Sequence, residues 1–268
     1  MVVTPPGKAF LILQSAFCIL HCYSALTVRD QALQIVENPP ILEVTLANPP
    51  DNRLTPEMVA GLDGAMDRIE SDDFEVLLIT GSQKVFCKGF DIDAVTCGRD
   101  PAQLRRDLVS WNAVFSRIAK STKPTVAAVH GACLGAGLEL ALACHFRLCA
   151  EKTRLGLPEV WNNLLPGLGG FFRLARLVGR AKALELVALG DLITAEEALR
   201  LNVVSRVFPR KGFADRVASF VKALLVADRQ VVREVIHLAA CSAALGEEDN
   251  IRQGIESCVK LAQWLPKT

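Results

Sequence analysis

Two glutamates stand in stretches built for close approach. Glu139 lies in GACLGAGLEL (residues 131 to 140), among three glycines and two alanines, and Glu159 lies in LPEVWNNLLPGLGG (157 to 170). A carboxylate on so bare a helix is a candidate general base. A glycine-rich turn that opens a helix offers free backbone N–H groups and the positive end of the helix dipole, which favour developing negative charge. Glycine and alanine let a ligand reach that backbone, the make-up of an oxyanion hole. A second glycine-bearing stretch, FCKGFDID (86 to 93), offers another N–H donor at a strand end. The combination suits proton transfer beside a stabilised oxyanion. The plainer reading is a tightly packed helix with Glu139 on its solvent side. A nucleotide loop is excluded: glycines at 131, 135 and 137 do not make G-x-G-x-x-G, and no Gly-Lys-Ser/Thr follows.

The surrounding pattern says what must position these groups. LQIVEN and ILEVTLAN read as two strands joined at Pro39-Pro40, and NPPDN as a loop. Thr55-Pro56 starts a helix to about Ser71. FEVLLIT (74 to 80), TVAAVH (125 to 130) and FRLCA (146 to 150) are short apolar runs of buried-strand type. Helices are expected near 101 to 120 and 136 to 144. Strands alternating with helices imply right-handed crossovers and a mostly parallel sheet, whose strand ends bind ligands. From about 168 the chain reads as nearly all helix, broken by VVSRVF, with a capping box at Thr194 and Glu197. The expected organisation is an extra apolar segment (1–27), an α/β core (28–210) and a C-terminal helical region (211–268).

Composition narrows the class. The 268 residues are 51% hydrophobic with net charge +1, enough for one large core and without a basic stripe, so nucleic acid is not an expected partner. Nine cysteines without a Cys-x-x-Cys pair suit free thiols in a reducing compartment. Cys18, His21 and Cys22 lack a second ligand pair, and His145 beside Cys144 and Cys149 lacks ligand spacing, so no metal site is expected. The apolar run 9 to 20 is shorter than the roughly 20 residues of a membrane span. It has no arginine before Arg29, unlike a transit peptide. A segment packed on the protein, no stable membrane insertion and a cytoplasmic location are expected. The mitochondrial matrix and peripheral membrane association are the alternatives.

The motifs in order resemble the enoyl-CoA hydratase/isomerase (crotonase) superfamily. FCKGFDI, GACLGAGLEL, LPEV twenty residues past Glu139, and PGLGG match its four motifs in register, and the resemblance covers about residues 33 to 265. It implies a crotonase-like α/β fold, a ββα repeat spiral with a C-terminal helical oligomerisation region. A homotrimer or dimer of trimers follows by the same resemblance. It also implies fatty acid metabolism, an acyl-CoA substrate that carries the coenzyme A, and no separate cofactor.

Residue by residue, the resemblance puts the thioester carbonyl between the backbone N–H groups of Phe90 and Ala136. Asp91, Ile92, Asp93, Gly135 and Gly167 line the same site. Glu139 and Glu159 hold a water between them in the hydratase branch, Glu139 as base and Glu159 as acid, with protons shared by the pair. Keeping both acids points to hydration of the α,β double bond or its reverse. Enoyl-CoA isomerisation, C–C hydrolysis of an acyl-CoA and non-catalytic acyl-CoA binding are the alternatives.

The chain also departs from the pattern. Asp93 stands where hydratases often carry lysine. Lys260 is out of register with the usual cationic run of the tail. Phe90 and Ala136 are larger than the residues common at their positions. Trp161 is a candidate for the acyl pocket or for core packing. Arg105 and Arg106 are expected on a solvated face, and His130 as a hydrogen-bonded core residue.

Overall fold

The computed structural model describes residues 27–30, 32–92, 100–242 and 245–263. The apolar segment before residue 27, with Cys18, His21 and Cys22, lies outside the described residues, as does Asp93. The described strands are β1 (Thr27–Asp30), β2 (Leu33–Asn38), β3 (Ile41–Leu46), β4 (Val76–Gly81), β5 (Thr125–Val129), β6 (Ala132–Leu134), β7 (Phe146–Ala150), β8 (Arg154–Gly156), β9 (Leu192–Thr194) and β10 (Arg206–Phe208). The α-helices are α1 (Pro56–Ile69), α2 (Pro101–Ala119), α3 (Ala136–Ala143), α4 (Gly170–Val178), α5 (Arg180–Leu189), α6 (Ala195–Arg200), α7 (Phe213–Val226), α8 (Arg229–Ser242) and α9 (Glu247–Ala262).

Seven strands form the main sheet in the order β1-β2-β3-β4-β5-β7-β10. The first three pair antiparallel; from β3 onward every pairing is parallel. The alternation of a strand sorts side chains to two faces. Leu77, Ile79, Ala127 and Val129 enter the large core under α1, α2 and α3, while Val76, Val126, Ala128 and Leu148 face Val217 and Val221 of α7. That two-sided burial is why β5 reads as a continuous apolar run. Each leucine so buried contributes about 2 kcal/mol. Thr55 and Thr194 accept from the amides of Met58 and Glu197 at 3.3 and 3.1 Å, capping α1 and α6.

A second, three-stranded sheet, β6-β8-β9, was not legible in the sequence. GACLGAG was expected to be a plain turn, and the last third nearly all helix. Instead Ala132–Leu134 is a strand, and Leu192–Thr194 interrupts the helices. Strands of three residues are too short to carry a periodicity. This small sheet positions the site. It registers Leu134 with Gly156, so the chain entering α3 runs beside the chain entering the Pro158–Asn162 3₁₀ turn. Among the described residues no helix is long and apolar enough to cross a membrane.

Candidate active site

The solvent-facing reading of Glu139 is overturned. Every residue of α3 is buried, and Glu139 is 2% exposed. Helix α3 is short and apolar all round because it is enclosed all round. The carboxylate is not left unpaired. Its Oε1 accepts from the backbone amides of Leu168 and Gly170 at 2.7 and 2.8 Å. Gly170 is glycine for that contact: a Cβ there would sit 2.6 Å from Glu139 Cγ. Burial pushes the Glu139 carboxyl up to about 7, the two amides pull it down, and the charge of Glu159 pushes it up again.

Glu159 starts the 3₁₀ turn that β8 delivers to the mouth of α3. Its carboxylate reaches Gly135, where a Cβ would meet Oε1 at 3.2 Å. Burial raises it to about 6, and its Oε2 is buried without a hydrogen-bond partner among the described residues. Burial favours the last proton on Glu139, the deeper group, whereas the two amides aimed at its Oε1 favour its charge. Both carboxyls are therefore held above the ordinary carboxylate range, Glu139 further than Glu159.

Two backbone stretches close over this pair. Cys87 bridges to Cys133 as in a parallel sheet, and Leu134 donates to the Cys87 carbonyl at 2.9 Å. A Cβ on Gly89 would lie 3.6 Å from the Ala136 amide, so the Phe90 and Ala136 loops are in contact. The Leu54–Phe90 bridge runs from Leu54 N to Gly89 O and from Asp91 N to Leu54 O, which leaves the Phe90 N–H outside it. Gly135 donates to Gly156, and the Ala136 N–H opens α3, where no preceding turn can accept it. Phe90 itself stacks on Trp111 of α2 with ring centroids 4.8 Å apart, so its bulk enters the core wall. Ile92 and Asp91 continue from this loop, both half-buried.

Other residues were missed or misplaced. Asn52 is fully buried. Its amide donates to Ser82 O and Val85 O at 2.9 and 2.8 Å, tying the NPPDN loop under the Phe90 loop. Asn112 donates to Gly167 O at 2.7 Å, and Arg173 donates to Leu168 O at 2.5 Å. The two brace the PGLGG turn. An asparagine between two loop prolines was the available signal for Asn52; nothing in the sequence pairs Asn112 or Arg173 with a loop. Gly167 is exposed beside Leu108, at the rim of a groove of about 550 Å³ lined by Pro101, Leu104, Arg105, Leu108, Val109 and Asn112. Arg105 and Arg106 are exposed as expected. Trp161 is not packed in the core: it is 64% exposed, and its Nε1 donates to Leu189 O at 3.0 Å, closing the end of α5. Lys260 pairs with Glu234 between α8 and α9.

Comparison with known proteins gives the family and the fold. Residues 37–255 match the model of the Enoyl-CoA hydratase/isomerase family. A Bacillus subtilis (strain 168) protein named "Probable enoyl-CoA hydratase" is 41% identical over 165 residues, which is 60% of this chain and 63% of that protein. Among solved structures, an enoyl-CoA hydratase from Geobacillus kaustophilus HTA426 superposes with TM-score 0.84 at 29% identity, covering 89% of this chain and 91% of that one. A structure from Thermobifida fusca YX in complex with CoA gives TM-score 0.82 at 25% identity, covering 88% and 95%. With a crotonase fold and a family model matched over most of its length, the chain belongs to the enoyl-CoA hydratase/isomerase family.

Proposed function

We propose that the protein is an enzyme, an enoyl-CoA hydratase that adds water across the α,β double bond of an acyl-CoA thioester or removes it. One observation carries this reading. Two carboxyls are raised by burial, Glu159 reaches Gly135 at the opening of the helix that carries Glu139, its charge acts on Glu139, and its Oε2 is buried without a partner among the described residues. A water bound between them would satisfy that oxygen.

In the proposed reaction the thioester oxygen sits on the Phe90 and Ala136 amides. Such a donor typically contributes about 3 kcal/mol to the transition state, because it is fixed before charge develops. Glu139 takes a proton from the water as oxygen attacks the β carbon; burial disfavours its proton-free form, and the two amides on Oε1 are what stabilise it. Glu159, its Oε2 free of N–H donors, delivers a proton to the α carbon. The coenzyme A arrives with the substrate, and no other cofactor takes part. The groove along α2, with Leu104, Leu108 and Val109, leads the acyl chain away from Gly167.

An isomerase moves a proton within the substrate and needs no water oxygen. The test is therefore turnover of crotonyl-CoA in ¹⁸O-labelled water, read by mass. Hydration gives a 3-hydroxyacyl-CoA carrying one ¹⁸O. A product of unchanged mass, separated from the substrate by chromatography and carrying no ¹⁸O, would replace this reading with isomerisation.

A further inference from the structure

The turn that holds Glu139 is itself held. Leu168 is gripped at both ends of its peptide: its N–H donates to Glu139 Oε1 at 2.7 Å, and its carbonyl accepts from Arg173 Nη1 at 2.5 Å. Gly169 lies between the two amides of the cradle, at φ +83°, and a Cβ there would press on Arg173 Nη1 at 2.7 Å. The glycine leaves room for the guanidinium as Gly170 leaves room for the carboxylate. Arg173 is half-buried on α4, one turn past the cradle.

We propose that Arg173 is a positioning residue for Glu139: its Nη1, on the Leu168 carbonyl, fixes the turn whose Leu168 and Gly170 amides hold the carboxylate, and its cation favours the charged carboxylate over the protonated one. An arginine keeps its charge in a protein interior, so the field is permanent. The groups that face Glu139 are few. Glu159, on the 3₁₀ turn, pushes its pKa up, while Arg173 and the amides of Leu168 and Gly170 pull it down. Arg173 in turn faces Glu139, Arg176 and the Cys144 thiol. Without the cation, burial and Glu159 would act on Glu139 less opposed, and its proton would be held to higher pH.

The inference rests on reading Glu139 as the proton carrier, so its test avoids turnover. Protein labelled with ¹³C at glutamate is titrated by NMR, with the Glu139 carboxyl assigned through E139Q. In R173Q the Glu139 midpoint should rise by about half a pH unit or more. In R176Q, which removes a cation from the same helix without touching the cradle, it should stay in place. R173K keeps a cation and loses the planar guanidinium seated against Gly169 and the Leu168 carbonyl: the midpoint should hold, while amide exchange at Leu168 and Gly170 quickens about tenfold. An unmoved or lowered midpoint in R173Q overturns the electrostatic half, and wild-type exchange in R173K overturns the cradle half. If R173Q fails to fold, exchange in R173K decides the proposal. A wild-type protein that does not hydrate crotonyl-CoA would sink the hydratase reading and leave these measurements to decide this one.

Discussion

Glu139 and Glu159 are raised to about 7 and about 6, chiefly because both are taken out of water. Proton transfer through them needs one charged and one protonated carboxyl. Below about 6 both hold protons and no base is present; above about 7 both are charged and no acid is present. The proposed hydration should show a bell-shaped kcat/KM between those limbs, read by steady-state rates across pH. A flat profile from pH 5 to 8 would contradict the shared-proton pair. Gly170→Ala makes a second residue-scale test. Its methyl would sit 2.6 Å from Glu139 Cγ and displace the carboxylate, so kcat should fall by about a hundredfold in a protein that still melts cooperatively. Both glutamates and both loops were legible from residue type and spacing. Burial was not. A glutamate on an all-apolar helix could face out or in, and only the packing of α3 on every side decides for the interior.

At the scale of elements, the site is made by pairing short pieces. The register of β6 with β8 puts the openings of α3 and the 3₁₀ turn side by side, and the Cys87–Cys133 bridge adds the Phe90 loop. Asn52 anchors that loop from below through two carbonyls. Asn52→Ala would leave both part-buried carbonyls without this donor and should lower the unfolding free energy by about 1–3 kcal/mol in a denaturant titration, with a parallel loss of kcat. An unchanged midpoint would mean the loop holds itself. The long elements were legible because periodicity over five or more residues is informative: β4, β5, α1 and α2 fall where their patterns put them. The three-residue strands were not, because they are defined by their partners rather than by their own sequence.

The whole molecule has an α/β body with three closing helices. Helix α7 completes the core below the sheet, while α8 and α9 pack on each other and leave apolar residues outside. Ile251, Ile255 and Val259 follow one another at i, i+4 spacing on α9 and are about half exposed, at 57%, 56% and 50%. A stripe of this kind suits an interface. We propose that it contributes to a homotrimer or a dimer of trimers. Sedimentation velocity should then give three or six chain masses for the wild type and smaller species for Ile255→Asp. A wild-type protein that sediments as a single chain would remove the proposal. That the last third is helical was readable from its patterns. Where those helices dock was not, since the stripe on α9 has the same sequence signature whether it faces a core or a neighbour.

The reaction proposed here has the buried Glu139 and the half-buried Glu159 act together on water. Its most direct measurement is the rate of crotonyl-CoA hydration, followed by loss of the enoyl thioester absorbance, in the wild type, Glu139→Gln and Glu159→Gln, with folding checked by melting. The account predicts hydration by the wild type and a fall of about a thousandfold or more in each variant. A wild-type rate in either variant, or no hydration by a folded wild-type protein that binds CoA, would contradict it.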